Sequence, residues 1–174
     1  NNTDDFKNDE FNAESYGGLS YNASLPLIKK NTLEDRISFL TPKASLKFAP
    51  GHMRNIKEDN LRLNYSNIFN LNKNSQIDVV DSGNSFTAGL EFSNLDFINN
   101  QAGEENFSVY LGQVFSFEEN SDMPSKSSLD QKVSDLVGEA SVKISDNFSI
   151  KNEFSVDHNF SDINYNDLEA NLIL

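Results

Sequence analysis

An all-β fold is predicted: an antiparallel up-and-down meander of about eight strands, forming a partial, open segment of a transmembrane β-barrel. Three observations predict it. Apolar and polar residues alternate with period two along most of the chain, which turns them to opposite faces of a strand. The alternating segments run roughly nine to eleven residues, longer than the five or six common in soluble sheets and the length a tilted strand needs to cross a bilayer. Long polar connections and a tight turn fall at opposite ends of the meander, as in transmembrane barrels.

Residues 1–16 are acidic and Asn-rich and read as an irregular polar lead-in; residues 17–174 carry the barrel segment. Leu19, Tyr21, Ala23, Leu25 and Leu27 alternate with Ser20, Asn22 and Ser24, and Leu40, Ala44, Leu46 and Phe48 with Lys43, Ser45 and Lys47. Leu61, Leu63, Tyr65, Phe69 and Leu71 give a third predicted strand against Arg62, Asn64 and Ser66. The next are Ala88, Leu90 and Phe92 against Glu91, then Phe107, Val109, Leu111, Phe115 and Phe117 against Ser108. Leu136, Ala140, Val142 and Ile144 oppose Glu139, Ser141 and Lys143, and Phe148, Ile150, Phe154 and Val156 oppose Lys151 and Glu153. Leu168, Ala170, Leu172 and Leu174 close the series. Ser145-Asp146-Asn147 is the tight turn, and 72–85 and 118–135 are the long loops; 49–60 breaks the asymmetry, being long on the short side. Both termini look cut, which predicts an internal fragment of a longer exported protein.

The formal net charge is −13, from 27 acidic against 14 basic residues, and argues against nucleic acid, whose phosphates need clustered cations. No run approaches the roughly 18 apolar residues of a spanning helix, and cysteine is absent, so no disulfide or thiolate site is available. Neither a catalytic constellation nor a cofactor or metal site is predicted. His52 and His158 stand in separate loops and read as surface histidines; Glu104-Glu105, Glu118-Glu119 and Asp122 lack the spacing of a calcium loop. Gly17-Gly18 reads as a bend or bulge rather than a phosphate loop. Pro42 lacks the N–H that a ladder needs and predicts a bulge.

A soluble β-sandwich would alternate too, with its apolar face toward a core. Strand length and the meander spacing favour the barrel. Its apolar positions then face lipid: Leu46, Phe48, Ala88, Leu90, Phe92, Val109, Leu111, Val142, Ile144, Ile150 and Phe154. Its polar positions face the lumen: Lys43, Ser45, Lys47, Glu91, Ser108, Glu139, Ser141, Lys143, Lys151 and Glu153. Tyr21, Phe48, Phe92, Phe117 and Phe160 are candidates for an interfacial girdle.

Several segments, in order, resemble the barrel of the lipopolysaccharide-assembly family LptD. They are Phe39-Leu-Thr-Pro-Lys-Ala-Ser-Leu-Lys-Phe-Ala-Pro50, Asn67-Ile-Phe-Asn-Leu-Asn-Lys73 running on to Asp81-Ser-Gly-Asn-Ser-Phe-Thr-Ala-Gly-Leu-Glu-Phe92, Leu111-Gly-Gln-Val-Phe-Ser-Phe117, and Ser134-Asp-Leu-Val-Gly-Glu-Ala-Ser-Val142. The family's arginines appear here as Lys73 and Val79-Val80, and its Gly pair is reduced to Ser82-Gly83. The resemblance implies a non-enzymatic barrel in the outer membrane of a Gram-negative bacterium that assembles lipopolysaccharide into the outer leaflet. Implied partners are lipopolysaccharide, an LptE-like lipoprotein plug in the lumen, outer-membrane lipid, and a periplasmic Lpt bridge reached through an N-terminal jellyroll that this stretch lacks. The alternatives are a porin or uptake channel and, less well supported, a soluble sandwich binding module.

Overall fold

The computed structural model describes residues 17–31, 36–74, 79–98 and 101–173; the predicted lead-in 1–16 and Leu174 lie outside them. Eight strands form one antiparallel sheet: β1 (Leu19–Ser24), β2 (Leu27–Asn31), β3 (Arg36–Ala49), β4 (Gly83–Ile98), β5 (Gln101–Ser116), β6 (Leu136–Ser145), β7 (Phe148–Val156) and β8 (Ile163–Leu172). The order is β1-β3-β4-β5-β6-β7-β8, with β2 also on β3. The sheet is an open meander, and its strands do not divide into the two stacked layers of a sandwich. The one helical element among the described residues is a 3-10 turn at Ser125–Ser127, and no described helix is long and apolar enough to cross a membrane.

The count matches the sequence expectation, but the membership differs in two places. β1 and β2 are one predicted strand interrupted at Pro26. Their pairings with β3 (Ser24 opposite Lys43, Leu27 opposite Leu40) share a single register, and Leu25 N–H donates to Pro42 O at 3.1 Å across the gap. The ladder thins there because Pro26 and Pro42 both lack a donor. The bulge expected at Pro42 does not form: Pro42 sits opposite Leu90 in unbroken register. Register shifts occur instead near Leu95, between Lys143 and Ser145, and between Ser155 and Val156.

The second difference is 61–71, which is no strand. Asn64 and Asn67 cap each other, each backbone N–H donating to the other's side-chain oxygen (3.0 and 3.1 Å), and Ile68 N–H reaches Asn64 O at 3.1 Å. That reciprocal amide pair stabilises a single i→i+4 turn, which does not continue as a helix. Tyr65, Ile68 and Phe69, three and four residues apart, then fall on one side of it.

This correction removes the exception in the loop asymmetry. The β3–β4 connection becomes one long segment, 50–82, and joins 117–135 and 157–162 at one end of the sheet. At the other end β2 stops at Asn31 and β3 starts at Arg36, β4 stops at Ile98 and β5 starts at Gln101, and Asp146-Asn147 is a two-residue turn.

Candidate functional site

Cross-strand register decides which side chains share a face, because opposed residues in an antiparallel pair point the same way. All eleven residues predicted to face lipid lie on one side. Leu90 opposes Leu111, Phe92 opposes Val109, Gly138 opposes Phe154, and Val142 opposes Ile150. Leu46, Phe48, Ala88 and Ile144 continue the set by alternation. Apolar contacts tile this side, with the Phe86 and Phe115 rings stacked at 6.2 Å and Phe92 edge-on to Phe107 at 6.2 Å. Among the described residues no second sheet covers it, and Leu46, Phe48 and Ile144 are each more than half exposed. Of the girdle candidates, Tyr21, Phe48, Phe117 and Phe160 are exposed, whereas Phe92 sits in the middle of β4, well away from either end.

The ten predicted lumen residues share the opposite side. Ser45 opposes Thr87, Lys47 opposes Ser85, Ser108 opposes Ser141, Glu139 opposes Glu153, and Ser141 opposes Lys151. They bond laterally: Lys43 pairs with Glu91, Ser108 and Ser141 hydroxyls meet at 2.7 Å, and Lys151 reaches Glu139 at 3.1 Å and Glu153 at 2.9 Å. Lys143 pairs with Glu104 and with Asp146.

Part of this polar side is covered, which the sequence reading missed. The β3–β4 and β5–β6 connections fold back over it and enclose a core of Met53, Ile56, Leu63, Ile68, Val79, Met123 and Leu129 on Val114 and Val137 of the sheet. Those two valines lie out of phase with the apolar positions of their own strands, a signal that could have revealed the cover. Its seat is a pair of opposed glycines, Gly89 and Gly112. The Phe69 ring lies over Gly89, so close that an added Cβ would stand 2.5 Å from it, while Ile68 and Tyr65 lie over Gly112. Tyr65 donates to Glu91 Oε1 at 3.0 Å; its hydroxyl is held protonated well above the ordinary tyrosine range by burial first and by Glu91 second. Farther along, Arg62 stacks on Tyr165 of β8, 3.9 Å from the ring centre.

Three segments that carry the family resemblance fix this cover by buried hydrogen bonds. Asp81 accepts from Lys73 N–H at 2.5 Å and from the Asn74 amide. Asn72 accepts from Asp81 N–H at 3.0 Å and donates to Val79 O at 2.8 Å. Lys73, at the position of a family arginine, has its amine pushed below the ordinary lysine value by burial, against the opposing pull of Asp81. Ser134 Oγ accepts from Val114 N–H at 2.9 Å, and Gln113 donates to Ser134 O at 2.8 Å. Asp135 accepts from Ser155 at 2.7 Å and from Asn164 at 2.8 Å. Gly18 packs on Ala49 and Leu71 just before β1, without a bulge.

Among the described residues no three His, Cys, Asp or Glu side chains gather where they could hold a metal ion. His52 is exposed, and His158 sits 3.1 Å from Asp157. Glu105 accepts from the Tyr110 hydroxyl at 3.2 Å.

No curated protein matches the chain. The family model described as "LptD: LPS transport system D" matches residues 2–172. With one open antiparallel meander, two chemically distinct faces and a match over nearly its whole length, the chain belongs to the LptD family.

Proposed function

We propose that the chain is a segment of the wall of an outer-membrane barrel that passes lipopolysaccharide to the outer leaflet, a structural and transport role without catalytic chemistry. The observation that supports this best is the uncovered apolar face. Side chains as large as Leu46, Phe48, Leu90 and Ile144 stand on one side of the sheet with no layer of the described residues over them, and an apolar surface of this kind needs a non-aqueous neighbour. Lipid is that neighbour. The polar face, with its ion pairs, lines a hydrated lumen. An LptE-like plug and the periplasmic Lpt bridge are the partners this reading calls for, the plug on the polar face and the bridge through a domain outside this stretch. A porin or uptake channel would share the two faces; the family match favours lipopolysaccharide.

The test is a matched pair of substitutions in the full-length protein. Leu90→Lys puts a charge on the apolar face, at a cost of roughly 2–4 kcal/mol near a bilayer midplane, and impairs membrane assembly. Ser141→Lys, on the polar face, is tolerated. Equal amounts of both variants in purified outer membranes would reverse or abolish the assignment of faces.

A further inference from the structure

We propose that a small cavity between the β3–β4 and β5–β6 connections and the sheet is a binding site for a phosphate-type oxyanion, held by Lys47 and Lys73. The cavity measures about 40 Å³ and is lined by both lysines, Asp81, Ser85, Ser116 and Asn120, among others. Roughly 10–15 Å³ accommodates one water, so the space matches three or so water-sized groups, the bulk of one small tetrahedral anion.

The side chain that points to a ligand is Lys47. It is 7% exposed, and its charged partner, Asp81 Oδ2, lies 3.9 Å away, beyond hydrogen-bond reach. Among the described residues its ammonium group, with three protons to donate, makes no hydrogen bond. Asp81 is already engaged by Lys73 N–H and the Asn74 amide. Lys73 is also buried, its amine donating to Asn70 O at 3.2 Å. Among the described residues, two buried ammonium groups thus face one buried carboxylate, an excess of one positive charge in a place where charges are ordinarily paired. Glu118 lines the mouth but is exposed to solvent. The Ser85 and Ser116 hydroxyls supply further donors, the mixture of charge and hydroxyl that phosphate oxygens accept from.

The inference does not rest on the outer-membrane reading, since the site is built by the β3–β4 and β5–β6 connections and the ends of β3–β5. A free phosphate and the phosphate of a lipid headgroup offer the same chemistry. The test is equilibrium dialysis of inorganic phosphate against the full-length protein in neutral detergent micelles. One saturable site per chain is expected. Lys47→Met weakens it at least tenfold, and Lys126→Met, an exposed lysine, leaves it unchanged. Ser116→Val fills the cavity without touching the ion pair and weakens binding at least fivefold, which keeps the test open if Lys47→Met fails to fold. Micelles doped with phosphatidic acid compete with inorganic phosphate if a headgroup reaches the site and do not if it takes free phosphate; either result is compatible once saturable binding is seen. No saturable site in the parent protein, equal affinity in the Ser116→Val and parent chains, or a high-resolution structure in phosphate showing only waters there overturns the proposal.

Discussion

Over β3–β5 and the start of β6 the polar face is roofed; over most of β6–β8 it is open. The same alternation built both halves, yet their polar side chains live in different surroundings. Under the roof, Ser45, Lys47, Ser85 and Thr87 are almost fully buried, and besides the lateral Lys43–Glu91 pair there are vertical contacts between sheet and connection, as in Lys47 with Asp81 and Tyr65 with Glu91. In the open half Glu139, Lys151 and Glu153 stay partly exposed and pair sideways across strands, while β8 is exposed along nearly its whole length. Strand periodicity therefore selects the face. The composition of the connection decides whether that face is wet.

The contrast breaks most severely at Asp81. Asp81→Ala removes the carboxylate between two buried lysines, leaves Lys73 N–H without its acceptor, and takes one acceptor from the Asn74 amide, which keeps Asn72 Oδ1 and Val79 O. Breaking a buried pair from one side costs about 3–5 kcal/mol. Urea unfolding of the full-length protein in micelles measures it, together with faster proteolysis of 50–82. A loss under about 1 kcal/mol would mean that the roof is not anchored through this residue.

Next in size is the glycine seat. A Cβ at residue 89 would stand 2.5 Å from the Phe69 ring and 3.1 Å from Leu111 O. Gly89→Val therefore costs about 1–3 kcal/mol, the usual range for overpacking. The ring is the softer of the two obstacles, so Phe69→Ala in the same chain recovers part of that loss. The recovery, read as a double-mutant coupling energy, sharpens the comparison because it reports roof and sheet together. Additive effects would show that the two do not touch.

The faces were legible in the sequence and the roof was not, for reasons that lie in particular residues. A strand repeats its pattern every second residue, so Val142 opposite Ile150 or Leu90 opposite Leu111 needs only local reading. The roof depends on tertiary contacts between segments far apart in sequence, such as Phe69 on Gly89 and Ile56 N–H on Asp122 O. Leu61, Leu63 and Tyr65 imitate a strand for three turns of the pattern; only the Asn64–Asn67 pair and the helical spacing of Tyr65, Ile68 and Phe69 betray the turn. Out-of-phase Val114 and Val137 were the remaining clue, since an apolar residue on a polar face asks for a partner. Pro42 misled in the other direction, because a missing donor thins a ladder without shifting its register.

The smallest effect belongs to the open half and tests whether it is open in the whole protein. Lys151 bridges two carboxylates that face each other directly, Glu139 and Glu153, and like charges so opposed repel. The lysine side chain is 39% exposed, so water already screens the pair and each exposed bridge is worth at most about 1 kcal/mol. Lys151→Met should therefore lower stability by less than about 1 kcal/mol at low salt. Added salt should shrink the difference, because the unmasked repulsion acts through solvent. Glu139→Gln in the same chain should restore the parent value by removing one of the two repelling charges. Urea midpoints at two ionic strengths measure all three expectations. A loss of several kcal/mol that salt leaves untouched would place Lys151 in a dry environment, and the open half would then need a cover supplied by another part of the protein or by a partner, as the β3–β4 connection covers the other half.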